Sequence, residues 1–241
     1  MAQFVLVHGA WHGAWCWKRV LPILRAAGHD AHTVSLTGVG ERAHALSKDI
    51  CLQTHIDDVL AVIRHEELSE VVLVGHSYAG MVITGVADQL LAHGGSPIKR
   101  LVYLDAVTPH DGESWSSRHT DETRAARMAS TDAYGGLALP SSDAAVFGLT
   151  GDDLDWVNRR MTPQPFGVYL DTLHFNAARL ATVPRTFIDC TEPALPTIAT
   201  MRERVRSEEN WQVLEIQTGH DAMISAPNDV CAALLSLVEP V

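Results

Sequence analysis

Short, unbroken apolar runs rich in Val, Leu and Ile recur at residues 4–7, 71–74, 101–104, 186–188 and 213–216, with a weaker one near 31–36. Each is too short for a helix, so each predicts a strand. Continuous rather than alternating hydrophobicity predicts strands buried on both faces, as in a parallel sheet held between helices. Helix-length amphipathic stretches fill the intervals at residues 15–27, 54–66, 79–93, 198–207 and 228–237, with Gly28 and Gly94-Gly95 placed as C-terminal stops. Strand and helix therefore alternate, which predicts an α/β protein with a doubly wound, mostly parallel sheet.

Residues 109–183 break that rhythm with polar runs, Gly135-Gly136, Thr162-Pro163-Gln164-Pro165 and short helical pieces such as 152–160. So long a segment is rarely a structureless loop within one domain. An inserted helical cap is expected here, over a core made of residues 1–108 and 184–241. Neither an internal repeat nor a low-complexity segment is visible.

Composition narrows the partners. With 46% hydrophobic and 20% charged residues the chain is an ordinary globular one, and its 241 residues are ample for a sizeable core. A formal charge of −11 repels phosphate backbones and anionic bilayers, so neither nucleic acid nor a membrane is an expected partner. Cys16, Cys51, Cys190 and Cys231 form no C-x-x-C pair, and Met1-Ala2-Gln3 leads into the first apolar run without a basic n-region. Buried free thiols, a cytoplasmic location and a monomer or homodimer are the expectations.

Chemistry concentrates at Val74-Gly75-His76-Ser77-Tyr78-Ala79-Gly80, where an apolar strand ends in small residues and a helix begins. A strand-to-helix elbow holds its central hydroxyl out, provided the neighbours two residues away are small. Ser77 is the candidate nucleophile, with Gly75 and Ala79 as those neighbours. Ala79 stands where Gly is usual, and Gly80 is expected to help accommodate it.

A nucleophilic serine needs a base, and His220, just past the last strand, lies where the order nucleophile, acid, histidine requires it. The oxyanion of acyl transfer needs preorganised N–H donors, expected from Tyr78 after the nucleophile and from Ala10 in the loop after the first strand. His8 and His12 belong to that loop, and His76 is expected as a buried support. The acid is open between two strand ends. Asp105 follows the strand after the nucleophile, where a buried carboxylate is costly unless paired, and Glu192 follows the run at 186–188. Asp105 is preferred; Asp221 is too close in sequence to His220 to serve it.

These residues resemble the α/β-hydrolase superfamily, in particular its branch of plant methylesterases, hydroxynitrile lyases and bacterial esterases. Phe4-Val5-Leu6-Val7-His8-Gly9-Ala10-Trp11-His12-Gly13-Ala14-Trp15 looks like that branch's F-V-L-V-H-G-A-x-H-G-A-W signature, and Ala26-Ala27-Gly28-His29 and Gly75-His76-Ser77 fit it as well. The likeness covers residues 3–108 well and 183–238 moderately, while the cap matches only through Thr162-Pro163-Gln164-Pro165. Hydroxynitrile lyases carry Thr at the place of Gly9 and Lys beside the histidine, where this chain has Asp221-Ala222-Met223. The usual acid after Cys190 is missing, whereas the Y-M-E-A of certain haloalkane dehalogenases looks like Tyr103-Leu104-Asp105-Ala106.

The resemblance implies a serine hydrolase that cleaves a small aryl, alkyl or methyl ester through an acyl-enzyme, with neither metal nor organic cofactor. Trp11, His76, Trp115, Phe147, Trp156, Phe166 and Met223 are the expected substrate contacts, with Tyr169 and Phe175 as further aromatic residues of the cap. Lactone or carbon–carbon bond hydrolysis, a cofactor-free reaction, and a non-catalytic small-ligand receptor are the alternatives on the same fold.

Overall fold

In the computed structural model, which describes residues 1–92 and 98–238, the apolar runs form one parallel sheet. Its strands are β1 (Gln3–Val7), β2 (Asp30–Val34), β3 (Val71–His76), β4 (Ile98–Leu104), β5 (Arg185–Cys190) and β6 (Trp211–Ile216). The six-stranded order is β6-β5-β4-β3-β1-β2. Phe4–Val7 of β1 and Leu101–Leu104 of β4 have almost no exposed surface, as unbroken apolar runs require. Each such Leu or Phe side chain contributes roughly 1.5–3 kcal/mol by leaving water. The run in β6 differs from the expectation of full burial. As the outermost strand it has a neighbour on one side only, and Gln212 and Glu215 are exposed.

Around the sheet run α1 (Val20–Ala26), α2 (Leu52–His65), α3 (Ala79–Ala92), α4 (Asp121–Ser130), α5 (Gly151–Asn158), α6 (Ala199–Ser207) and α7 (Pro227–Ser236). Right-handed crossovers in opposing directions from β1 set α1 on one face and α2 and α3 on the other. Accordingly α1 packs with α7, and α2 with α3. The stretch at 15–27 is a 3-10 turn over Ala14–Trp17 followed by α1. Pro22 lacks an N–H and tolerates only the first helical turn, which fixes that late start. The expected stop at Gly94-Gly95, with His93, lies outside the described residues.

Residues 109–183 add no strand to this sheet. Besides α4 and α5 they hold short helical turns and two small antiparallel ladders, Glu113–Ser114 with Thr172–Leu173 and Ala138–Leu139 with Gln164–Pro165. The sequence expectation is an inserted helical cap; the two-residue ladders carry no alternation for a pattern to register. Cys16, Cys190 and Cys231 are buried free thiols and Cys51 is half-buried. Among the described residues, no helix is long and apolar enough to cross a membrane.

Candidate active site

Strand register brings the chemistry to one edge. Val7 pairs with Gly75, and His76 with Leu104, so the chain leaves β1, β3 and β4 at nearly one level. The strand order reverses between β1 and β3, and ligands of open α/β sheets bind at such a switch point, beyond the carboxyl ends of the strands.

Ser77 is the residue after β3, and its φ of 55° is in the left-handed region that non-glycine residues avoid. The surroundings hold it there: its N–H donates to Leu104 O at 3.2 Å, and its carbonyl accepts from Val107 N at 3.0 Å and Gly80 N at 3.1 Å. Gly80 answers the departure at Ala79. A Cβ on Gly80 would lie 1.8 Å from Val107 O, so the tightest approach of the elbow falls one residue later than the usual pattern puts it. The Tyr78 N–H precedes the first residue of α3 and has no partner within that helix.

Asp105, the residue after β4, repeats the strain at φ 42° and is fully buried. One of its oxygens lies 2.6 Å from His220 Nδ1, and the other accepts from Arg202 Nη2 at 2.7 Å. With Nδ1 donating to Asp105, Nε2 is the nitrogen His220 has left for a serine. Glu192, the other candidate acid, is exposed. Arg202, from α6, also donates through Nε to Asp189, and through its terminal nitrogens to Leu195 O at 2.7 Å and Cys190 O at 3.1 Å. The charge of Asp105 is therefore compensated although it lies out of water.

The loop after β1 is fixed by its histidines. His8 donates from Nδ1 to Gly9 O at 2.8 Å and accepts the Leu36 N–H at Nε2, and burial lowers its pKa to about 3. His12 faces Ala10 O at 2.8 Å through Nδ1 and Asp221 Oδ2 at 3.1 Å through Nε2. Burial alone would lower the His12 pKa, but the Asp221 carboxylate outweighs it and the pKa is raised. Asp221 is also buried, yet its carboxyl is held below the usual range by His12. Asp221 thus serves the loop carrying Ala10 rather than its neighbour His220. A Cβ on Gly9 would lie 2.8 Å from both Ser77 Cβ and His76 Nδ1, which shows how closely this loop covers the elbow.

His76 sits under His220, ring centroids 4.5 Å apart, and donates from Nε2 to His220 O at 3.0 Å. Burial first, and His220 second, push its pKa well down, so it is a neutral support. Among the described residues, His76, His220 and Asp221 are the group whose potential metal ligands all lie within 4.8 Å of one another. The hydrogen bonds just given already engage His76 Nε2 and His220 Nδ1.

Over residues 4–234 the sequence matches the family described as the alpha/beta hydrolase family. The chain belongs to it. Among its relatives, the carbendazim hydrolyzing esterase of Nocardioides sp. (strain SG-4G) is 40% identical, covering 98% of this chain and 100% of that protein. Methylesterase 7 of Arabidopsis thaliana is 26% identical, over 98% and 96%. The structure of an extracellular alpha/beta-hydrolase from a Paenibacillus species superposes with a TM-score of 0.83 at 21% identity, over 98% of each chain. At that identity the superposition speaks for the fold.

In this alpha/beta hydrolase an aromatic enclosure surrounds the elbow. The Trp115 ring lies 5.0 Å from the Tyr78 ring and 5.8 Å from Trp11, while Phe147 stacks on Trp11 at 6.2 Å and meets His220 at 5.6 Å. Tyr169 closes on Trp115 at 5.2 Å, and Phe166 lies against Tyr169 at 6.1 Å. Met223 is fully buried just past His220. Trp156 lies one layer out, 5.1 Å from Trp15, and Phe175 lines a different cavity with Tyr103 and Pro109.

Two connections were not singled out in the sequence. Arg202 carries no mark that separates it from the other arginines of α6. Gln164, by contrast, lies in the Thr-Pro-Gln-Pro segment; its Oε1 accepts the Trp11 N–H at 3.0 Å, while the Thr162 N–H donates to Trp11 O at 2.9 Å. That motif reached across to the loop after β1, and this contact is what the family resemblance in that segment could have led to.

Proposed function

We propose that the protein is a serine carboxylic ester hydrolase acting on small esters, with Ser77 as nucleophile, His220 as base and Asp105 as the orienting acid. The single observation that carries this reading is the 2.6 Å contact between His220 and the buried Asp105, beside a serine held in a strained elbow. Kinship supports the reaction class: esterases and methylesterases are among the relatives, and one at 40% identity is named for carbendazim.

Ser77 Oγ attacks the ester carbonyl as His220 Nε2 takes its proton, and the carbonyl electron pair moves onto oxygen. The Ala10 and Tyr78 N–H groups receive that oxyanion. Collapse breaks the bond to the alcohol, which leaves with the proton from His220. Water then gives a proton to His220 and adds to the acyl group, and the second collapse releases the acid and returns the proton to Ser77. Residues 109–183 form a cap whose Trp115, Phe147 and Phe166, with Trp11, His76 and Met223, shape the acyl pocket; Trp156 supports it from behind. Free thiols suit a reducing cytoplasm.

Turnover of p-nitrophenyl esters and intact mass after a fluorophosphonate test this directly. Wild type should hydrolyse the esters and gain one adduct, and Ser77→Ala should do neither. Full turnover in Ser77→Ala would remove the serine mechanism.

A further inference from the structure

Among the described residues, Arg127 is a cation with no acid to meet it. It projects from α4 with its Cζ 5.6 Å from the Trp11 ring, 5.4 Å from Trp115 and 5.6 Å from Tyr169. Among the described residues its guanidinium forms neither a hydrogen bond nor an ion pair. The nearby acids do not fill the role. Asp121 is paired with Arg124, Asp105 is held by Arg202 and His220, and Glu122 is an exposed residue at the mouth of the same cavity. The titratable groups coupled to Arg127 add positive charge or none: Arg118 carries a buried Nε without a partner among the described residues, and His119 is kept neutral, its pKa lowered to about 3 by burial and by Arg118 and Arg127.

A guanidinium that presents its faces to aromatic rings keeps its N–H edges free, and those edges match the two oxygens of a carboxylate. Arg127 borders a cavity of about 440 Å³ that Trp11 and Leu139 also line. That is within the range of small-molecule sites. The same rings lead back to the elbow, since Trp11 follows Ala10 and the Trp115 ring lies 5.0 Å from that of Tyr78. Trp11, which follows Ala10 in sequence, is thus the wall that the loop over the elbow and the cavity at Arg127 have in common.

We propose that Arg127 is the anion-binding group of a subsite that selects flat aromatic esters bearing a second, negatively charged oxygen group on the far side of the ring, as in the half-ester of an aromatic dicarboxylic acid. The ester end of this statement rests on the hydrolase reading; the anion end does not. A chain of net charge −11 repels such a substrate at long range, so recognition falls to a local cation.

The test compares monomethyl terephthalate with its neutral counterpart, methyl 4-carbamoylbenzoate. Wild type should favour the carboxylate in kcat/KM, and Arg127→Gln should shrink that preference by about 10- to 100-fold, the worth of a hydrogen bond to a charged group. Arg127→Lys should retain part of it. Titration of both esters into Ser77→Ala, followed by tryptophan fluorescence, reads the subsite without turnover. If neither ester is hydrolysed but binding prefers the carboxylate and loses that preference with Arg127→Gln, the subsite stands while the hydrolase reading falls. Equal treatment of the two esters by the wild-type protein, a result that needs no variant to fold, would overturn the subsite, as would an undiminished preference in Arg127→Gln.

Discussion

Ser77 and Asp105 end adjacent strands, and both hold backbone angles that cost about 1–3 kcal/mol each. Such strain persists where the surroundings over-determine it, here through hydrogen bonds from Ser77 to Leu104 and Val107 and from Asp105 N–H to Ile188 O at 2.8 Å. Asp105→Asn keeps the shape but offers His220 the wrong partner, so kcat should fall on the order of 10⁴-fold with little change in KM. Glu192→Gln should match wild type, and steady-state kinetics showing the reverse pattern would move the acid to Glu192. Ser77 and Asp105 could be singled out in the sequence because each follows an apolar strand directly, and His220 because it lies in the loop after the last strand; strand ends of a parallel sheet converge. Arg202 and Arg127 could not, because a charged residue on an amphipathic helix reads as solvated until the opposite wall is known.

At the scale of elements, unbroken apolar runs were enough to place the sheet, since only burial on both faces tolerates them. The ends and edges were harder: β6 is half covered, and α1 starts late because of Pro22. Helix α6 is attached to the strand ends by charge. Arg202 joins it to Asp105 and Asp189, which are 0% and 2% exposed. Arg202→Met would leave Asp105 with His220 and Asp189 with Arg206 as their remaining partners, so the loss should fall at or below the about 3–5 kcal/mol of a fully broken buried pair. Urea unfolding should show that loss. A variant as stable as wild type would mean that water reaches those carboxylates.

Across the whole molecule, buried neutral histidines set the acid limit. Burial lowers the pKa of His8 to about 3 and of His55 to about 4, against 6.5 for the free side chain. The unfolded chain therefore takes up these protons first, and the stability they carry is whole above about pH 6.5 and falls as pH drops toward 4 and below. At pH 5 each has lost about 2 kcal/mol, a large share of an ordinary folding free energy. His12 acts with the opposite sign. Its raised pKa adds stability at low pH that is lost as pH rises through the raised value, and Asp221, held low, adds stability above the ordinary Asp pKa that is lost as pH falls through the lowered value. Three buried histidines, His8, His55 and His76, lose stability as pH falls, and His12 alone opposes them, so the melting temperature should drop steeply between pH 6.5 and 4, and His55→Gln should flatten the slope. A flat melting temperature from pH 4 to 7 would contradict neutral burial.

Trp11 is held through both its N–H and its C=O by residues 162–164, so the peptide units on either side of its Cα are fixed, the first of them joining it to Ala10. The arrangement is an interlock: the loop carrying the proposed oxyanion donor, Ala10, is tied to that segment. A guest too large for the enclosure is then discriminated against after it has bound, because it holds the latch open and leaves the developing charge without its donor. Selection by size should accordingly appear as a falling kcat at nearly constant KM along a series of widening acyl groups, and a series in which KM alone rises would show that the latch and the donor move independently.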